Sequence, residues 1–400
     1  MRKVLFITYD FPPCRNIGGS LRSAMMAHYL ERFGWRADVV AMEETPGAHG
    51  TPGRRDDGVT RLPSLTPWHH PYHMTPWGWS LNVARRAEEL LASVGHQVIY
   101  VSAPPFGPAL AGLRLQRLGG LPLVVDFRDA WSLDPYVEGS RLKKVLNRHL
   151  FPALERRMVA RCDALLVNTP STLRGYLERY PRLAGRIHLL NNGFDEEDFF
   201  NYSITADDRV DDGRLTLLYT GRFGVADRRP RELLRALRRF PGVRLKVLGD
   251  DSPWLMELAT ECGTAQQLEL HPPVPHREAV TAMAHCDALL LYQQRSDATT
   301  TPIAGKTFEY LRAGKPILAL APAGDNLRLV TKFARHHAVA ASDDEAAICR
   351  AIAALADLKH KGRLPQFTPP PTNYRRSYSR ERLAEKLADH LNRLSTRGRG

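Results

Sequence analysis

Four hundred residues, 43% hydrophobic and 25% charged, are ordinary soluble composition and long enough for two domains with separate cores. No window approaches 18 uncharged apolar residues, which excludes a membrane-spanning helix, and Met1-Arg2-Lys3 leads straight into a strand-like run rather than a signal peptide. The net charge of +13, from 56 Lys and Arg against 43 Asp and Glu, favours anionic partners: nucleic acid, nucleotide phosphates or an anionic membrane surface.

Zinc-finger spacing, an RNP-like aromatic segment and a helix-turn-helix signature are all missing, so nucleic acid is not expected as a partner. Cys14, Cys162, Cys262, Cys286 and Cys349 are scattered, without metal spacing or disulfide density, and a reducing cytoplasm is the expected compartment.

In chain order, Lys3–Thr8 reads as a buried strand, followed by Tyr9-Asp10-Phe11-Pro12-Pro13 and a glycine loop, Ile17-Gly18-Gly19-Ser20. A helix with Leu21, Ala24, Met25, His28, Tyr29 and Leu30 on one face follows, then a strand at Arg36–Ala41, which makes a βαβ start. Gly18 and Gly19 let backbone amides approach an anion closely. From Glu43 to Trp79 the chain is rich in Pro, Gly, His and Trp and reads as a long loop; His69, His70 and His73 lie beside prolines, and no metal site is predicted there. Trp68, Tyr72, Trp77 and Trp79 are candidates to line an acceptor groove.

A helix over 81–94 precedes strands at Val98–Val101 and Leu123–Asp126, the second running into Phe127-Arg128-Asp129-Ala130-Trp131. Polar residues at strand ends of an α/β sheet face the ligand crevice. Asp126, Arg128 and Asp129 are therefore candidates for contact with a reacting hydroxyl or phosphate, or else a structural Arg–Asp pair. Arg141 to Arg161 is a basic amphipathic stretch, read either as a core-packed helix with a solvated face or as one that also docks on an anionic membrane surface. Further strands are predicted at Ala164–Asn168 and Ile187–Leu190, the latter ending in Asn191-Asn192-Gly193-Phe194-Asp195.

After a polar stretch, Asp195 to Gly213, a buried strand at Leu215–Tyr219 restarts the pattern and marks a domain boundary. Thr220-Gly221-Arg222-Phe223-Gly224 is a second glycine turn, and Arg222 counts as a donor-side cation. Arg229 stands at the start of a predicted helix over 230–239, where the dipole repels a cation unless an anion is near, which points to a phosphate contact. Strands at Arg244–Leu248, Leu268–His271 and Ala288–Tyr292 continue the alternation.

Thr299-Thr300-Thr301-Pro302-Ile303-Ala304-Gly305 is a hydroxyl-rich loop ahead of a helix that Gly314 ends and a strand, Ile317–Leu320, follows. Its free amides and the positive end of the helix dipole suit an anion. Lys306 adds a full charge, and Glu309, one turn on, offers acceptors for a vicinal diol; an ordinary exposed Lys/Glu pair is the alternative. Pro369-Pro370-Pro371 is a spacer before a final amphipathic helix over Arg380–Leu394.

Tyr9–Pro13 with Gly18-Gly19, Asp126–Trp131, Asn192–Asp195, Tyr219–Gly221, Gly249-Asp250 and the 305–318 segment occur in the order of a known family. The chain resembles GT-B glycosyltransferases of family 4 over nearly its whole length. The resemblance implies an α/β protein with two Rossmann-like parallel-sheet domains facing each other across a cleft. The expected limits are 1–195 for an acceptor-side domain, 196–372 for a nucleotide-sugar domain, and 373–400 for a C-terminal helix packing back on the first. It further implies metal-independent, retaining transfer of a sugar from a UDP-, GDP- or dTDP-linked cosubstrate, with no other cofactor, to a glycan, lipid-linked or small-molecule acceptor, in the cytoplasm or on the inner face of the membrane.

Carried over, Glu309 looks like the ribose-binding glutamate, Lys306 and Arg229 like diphosphate ligands, Gly18 and Gly19 like the loop that closes over the phosphates, and His276 like the region that receives the base. Many members carry a glutamate eight residues before the one matching Glu309; this chain has Thr301 there, so the contact to the donor-sugar hydroxyls is expected from Thr299 to Thr301 or from backbone amides, with Thr300, Thr301, Ile303 and Ala304 assigned to donor binding. Relatives place a histidine near the reacting centre where this chain has none, and Asp129 is the substitute. The alternatives are a nucleotide-sugar epimerase of the same architecture and, in another class, a nonenzymatic nucleic-acid or membrane binder.

Overall fold

The structure, a computed structural model, describes residues 1–14, 17–43, 58–65, 77–92, 95–133, 149–200, 212–223, 230–294 and 302–397. Two compact units emerge, one of Met1–Asn192 with Arg380–Gly400 and one of Gly193–Asp297 with Ile303–Ser379. Each is built on its own parallel sheet.

The first sheet comprises β1 (Arg2–Thr8), β2 (Trp35–Met42), β3 (Val59–Leu62), β4 (His96–Ala103), β5 (Leu123–Phe127), β6 (Ala164–Val167) and β7 (Ile187–Leu189), in the order β3-β2-β1-β4-β5-β6-β7. In the second are β8 (Leu215–Thr220), β9 (Val243–Leu248), β10 (Leu268–His271), β11 (Ala288–Tyr292), β12 (Ile317–Leu320) and β13 (His337–Ala340), in the order β10-β9-β8-β11-β12-β13. All pairings are parallel. These are the two Rossmann-like sheets the sequence predicts.

The apolar runs are strands because both faces of each sheet are covered, so successive residues enter opposite cores. Leu5 and Ile7 pack into one cluster with Ile99 and Val101, while Val4 and Phe6 pack into the other with Val98 and Tyr100. In the second unit Leu217 and Tyr219 face one core and Leu218 the other. The closing helix Arg380–Arg397 lays Leu383, Leu387, Leu391 and Leu394 on the first sheet, and each buried leucine contributes about 1.5–3 kcal/mol. Trp35 Nε1 donates to Asn392 Oδ1 at 2.8 Å and fixes its rotation.

Several local expectations change. Gly18 and Gly19 lie in the first turn of the helix Ile17–Leu30, not in a loop ahead of it. The expected loop between Glu43 and Trp79 holds the edge strand β3, the helix expected over 81–94 is two, Trp77–Arg85 and Ala87–Ala92, and the one expected over 230–239 is the shorter Arg231–Leu237. In the basic stretch, Phe151–Arg161 buries Phe151, Met158 and Val159 and exposes Arg156, Arg157 and Arg161, the pattern of a core-packed helix with a solvated face; residues 141–148 lie outside the described residues. No helix among the described residues is long and apolar enough to cross a membrane.

Strand order reverses at β1, which lies between β2 and β4, and at β8, between β9 and β11. The carboxyl ends of strands flanking such a reversal form the ligand crevice of an open α/β sheet.

Candidate active site

At the reversal in the second unit, the chain leaves β8 through Gly221, whose φ of +109° is left-handed, and β9 through Gly249 at φ +106°. The two turns touch: a Cβ on Gly249 would lie 3.2 Å from the Gly221 Cα, closer than ordinary packing. Asp250, buried, holds them in place, accepting from the N–H of Phe223 at 3.0 Å and of Ser252 at 3.2 Å. Arg222, in the same turn, is exposed, and its carbonyl accepts the Tyr219 hydroxyl at 2.8 Å.

The helix Gly305–Ala313 abuts this edge, and Gly314 ends it at φ +66° as its sequence predicts. Tyr310 pins the helix to β8, its hydroxyl accepting the Thr220 N–H at 2.9 Å. One turn earlier on the helix, Thr307 Oγ1 donates to Asn326 Oδ1 at 2.6 Å, and Asn326 Nδ2 donates to Gln293 Oε1 at 2.8 Å, at the end of β11. The helix is thus fixed against the ends of β8 and β11.

That anchoring brings the Lys306 ammonium 3.7 Å from the centroid of the Tyr219 ring and within 3.0 Å of where a Gly221 Cβ would stand. The left-handed turn favours glycine there, and a Cβ would also crowd the ammonium. Tyr219 stacks on Phe223, centroids 4.1 Å apart, and Phe223 packs edge-on to Tyr292. Burial lowers the Lys306 ammonium to about 7, with Glu309 pulling the other way, and among the described residues no carboxylate lies within ion-pair distance of it. A desolvated cation over an aromatic face gains about 2 kcal/mol, which offsets only part of its lost hydration.

Glu309 lies one turn further on, its side chain 12% exposed, and is engaged: His276 Nε2 is 2.9 Å from its Oε1. The other ring nitrogen, Nδ1, is 3.4 Å from Asp198 Oδ2. Hydrogen bonds to these two carboxylates hold the imidazole in its charged form, raised to about 10 against the opposing effect of burial. Ile303 is buried and Ala304 half-buried just before the helix. Arg229, Thr300 and Thr301 lie outside the described residues, as do His69, His70, His73, Trp68 and Tyr72.

In the first unit, the strand-end residues part company. Asp126 is fully buried and offers no surface to an acceptor: Arg22 reaches it through Nε at 3.1 Å and Nη2 at 3.0 Å, and the Tyr100 hydroxyl donates to its Oδ2 at 2.6 Å. The structural Arg–Asp pair is the reading that fits, although the partner is Arg22 and not Arg128. Arg22 also donates to the carbonyls of Leu190 and Asn191, and its guanidinium is raised because Asp126 and Tyr100 outweigh the effect of burial. Arg128 is half-buried and donates to the Pro104 carbonyl; Asp129, next to it, is exposed. The loop bearing them is held from beneath by Glu155, fully buried, which accepts from the Ser132 N–H at 2.7 Å and from the Tyr176 and Tyr180 hydroxyls, each at 2.8 Å.

Sequence reading missed Tyr219, Asp198, Arg22 and Glu155 as parts of these constellations. A tyrosine on a buried strand reads as core, and no local spacing joins Asp198 to His276 or Arg22 to Asp126.

Two Rossmann-like sheets with a cationic, glycine-lined strand edge define a class, and a comparison by sequence gives it chemistry. Residues 18–193 match the family described as a Glycosyl transferase 4-like domain, and the fold is that of GT-B glycosyltransferases. No curated protein matches the chain. Among solved structures it is similar to a sucrose-phosphate synthase from Thermosynechococcus elongatus, with a TM-score of 0.73, 16% identity, and coverage of 99% of this chain and 100% of the other. Anabaena HepE, solved in complex with UDP and glucose, aligns with a TM-score of 0.64 at 15% identity, covering 98% and 100%. A putative UDP-N-acetylglucosamine 2-epimerase from Listeria monocytogenes aligns with a TM-score of 0.58 at 13% identity, covering 98% and 95%. At these identities the likeness speaks to fold.

Proposed function

We propose that the protein transfers a glycosyl group from a nucleoside diphosphate sugar, held by the second unit, to a hydroxyl acceptor held by the first, with retention and without a metal ion. The observation that carries this reading is the Lys306 ammonium, seated at the strand reversal beside Gly221 with no described carboxylate to neutralise it, one turn before Glu309. A cation that burial desolvates and that no described carboxylate neutralises is matched to an anion of the substrate. As the bond between the sugar C1 and the diphosphate oxygen breaks, charge develops on the leaving group. Lys306, the start of the helix Gly305–Ala313 and Arg229 supply the positive potential that stabilises it. The second oxygen of Glu309 takes a ribose hydroxyl, and Thr300, Thr301, Ile303 and Ala304 are assigned to the donor sugar.

Arg128 and Asp129 are assigned to the acceptor, Asp129 as the group near its reacting hydroxyl; Asp126 keeps only a role in shaping the loop. The complexes of HepE with UDP and with UDP-glucose support a uridine nucleotide as the first donor to try. A thermal-shift panel of nucleoside diphosphates and nucleotide sugars tests the reading: at least one diphosphate raises the melting temperature of the wild type and not of Lys306→Ala. No shift with any of them refutes it. The epimerase-like neighbour favours a second reading, separated by incubating donor alone, since an epimerase converts donor without acceptor.

A further inference from the structure

The histidine bridge is more than the base-binding region implies. Its two ring nitrogens are committed to carboxylates on two different segments, Glu309 at 2.9 Å and Asp198 at 3.4 Å, and only a ring protonated at both nitrogens donates to both. Such a ring has no nitrogen left for a nucleobase. What it does have is a fixed direction.

The Asp198 side of the bridge is itself anchored to the helix that carries Glu309. Asp198 lies in the short turn Glu197–Phe199, which Asp195 opens by accepting the Glu197 N–H at 3.0 Å. Glu196 receives Arg312 at 2.9 Å and Arg375 at 2.6 Å, and those two guanidinium groups hold its carboxyl below the usual range against the effect of burial. The Arg312 guanidinium also covers the Phe199 ring at 4.9 Å, and Phe199 is buried. Arg312 and Glu309 share a helix, one turn apart. The segment 195–199 is therefore tied to that helix at Arg312 and, through His276, at Glu309.

Glu309 is left half committed. Oε1 is occupied by His276, while no hydrogen bond from a described residue reaches Oε2. An unheld glutamate on a helix surface samples several rotamers, and ordering it on binding costs affinity. A carboxylate with one oxygen fixed by the protein and the other presented to a ligand has met that cost on folding.

We propose that His276 is a positioning residue: by bridging Asp198 and Glu309 it fixes the carboxylate that receives the ribose hydroxyls, and so sets the preference for ribose over 2′-deoxyribose in the donor nucleotide. The inference rests on the reading of Glu309 as the ribose ligand, and the two are tested apart. His276 touches no substrate in this account; it acts through Glu309.

The experiment is calorimetric binding of UDP and 2′-deoxy-UDP, and of GDP and 2′-deoxy-GDP, to the full-length wild type and to Glu309→Ala, His276→Ala, His276→Gln and Asp198→Asn. The ratio of ribo to deoxyribo affinity is the readout, because general loosening of the fold lowers both affinities together and leaves the ratio in place. The wild type is expected to prefer the ribonucleotide, Glu309→Ala to abolish the preference, and His276→Ala to narrow it about tenfold, a difference of about 1.4 kcal/mol. Asp198→Asn keeps the shape and removes one charge, and should narrow it less. If Glu309→Ala abolishes the preference and both His276 variants retain it, the positioning role is wrong and the ribose site stands. Should Glu309→Ala retain it, or the wild type show none, the ribose reading itself falls and the inference with it. Where His276→Ala does not fold, His276→Gln decides, since glutamine carries no charge and has both N–H donors on one nitrogen, not on two edges of a ring.

Discussion

Two charged clusters stand near strand ends, one in each unit, and they are built in opposite ways. Around Asp126 both carboxylate oxygens accept from Arg22 or Tyr100, the carboxylate is fully buried, and Arg22 also donates to the carbonyls of Leu190 and Asn191. Around Lys306 the cation has an aromatic ring for a partner, its nearest carboxylate neighbour on the helix is committed to His276, and no hydrogen bond from a described residue reaches that carboxylate's second oxygen. A closed network is self-sufficient and serves the fold. An open one, with a charge that no described carboxylate balances, is the kind that a bound anion would complete.

The difference can be broken most forcefully at Asp126. Asp126→Ala leaves Arg22 buried without its counter-ion and is expected to cost about 3–5 kcal/mol of stability in denaturant unfolding. A variant as stable as the wild type would mean that the closed cluster is not what holds the first unit's strand ends together.

At Lys306 the expectation inverts. Lys306→Ala is predicted to reduce nucleoside diphosphate binding and transfer by about 10²–10³-fold, while the melting temperature of the unliganded protein holds or rises, because a desolvated ammonium is removed. Loss of stability with binding intact would make Lys306 a structural residue like Asp126.

Protonation sharpens the same contrast. Since burial lowers the Lys306 ammonium to about 7, its penalty is fully present below that pH and is relieved as pH rises toward the unfolded value near 10.5. A bound diphosphate reverses the shift. At pH 8 the wild type is therefore expected to take up as much as one proton on binding UDP, measured by calorimetry in buffers of different ionisation enthalpy; uptake should vanish at pH 6 and in Lys306→Ala. His276 behaves in the opposite sense, its raised pKa giving stability that is complete below about 6.5 and lost as pH rises through about 10.

The smallest effect is expected from the basic face. Reversing Arg156 and Arg157 to Glu, both exposed on Phe151–Arg161, should weaken sedimentation with vesicles rich in anionic lipid by about 1 kcal/mol for each cation removed. Unchanged sedimentation leaves that face as solvated surface alone.

Much of the fold was legible because its strands are buried on both faces and therefore read as continuous apolar runs, Val4 to Ile7 and Ala288 to Leu291 among them. Gly314 was legible as a helix end because a left-handed residue there favours glycine. Two of the four edge strands escaped: β3 and β13 mix buried and exposed positions, and their short runs look like loop, whereas β7 and β10 were read. The glycine pair at 18 and 19 read as a loop because glycine is a poor helix former, but the helix takes it in at its first turn.

At the site, the sequence by itself determined which groups are present and on which element: a lysine and a glutamate one turn apart, glycines after strands, carboxylates where a sheet ends. Periodicity and local backbone preference act over a few residues, and those assignments need nothing longer. Only the tertiary structure decided how the charges are paired. Arg22 meets Asp126 across 104 residues, His276 meets Glu309 across 33, and Lys306 is left beside Tyr219. Which charges are neutralised and which are left for a ligand depends on chain segments brought together by burial, and burial is a property of the packed sheet and its helices.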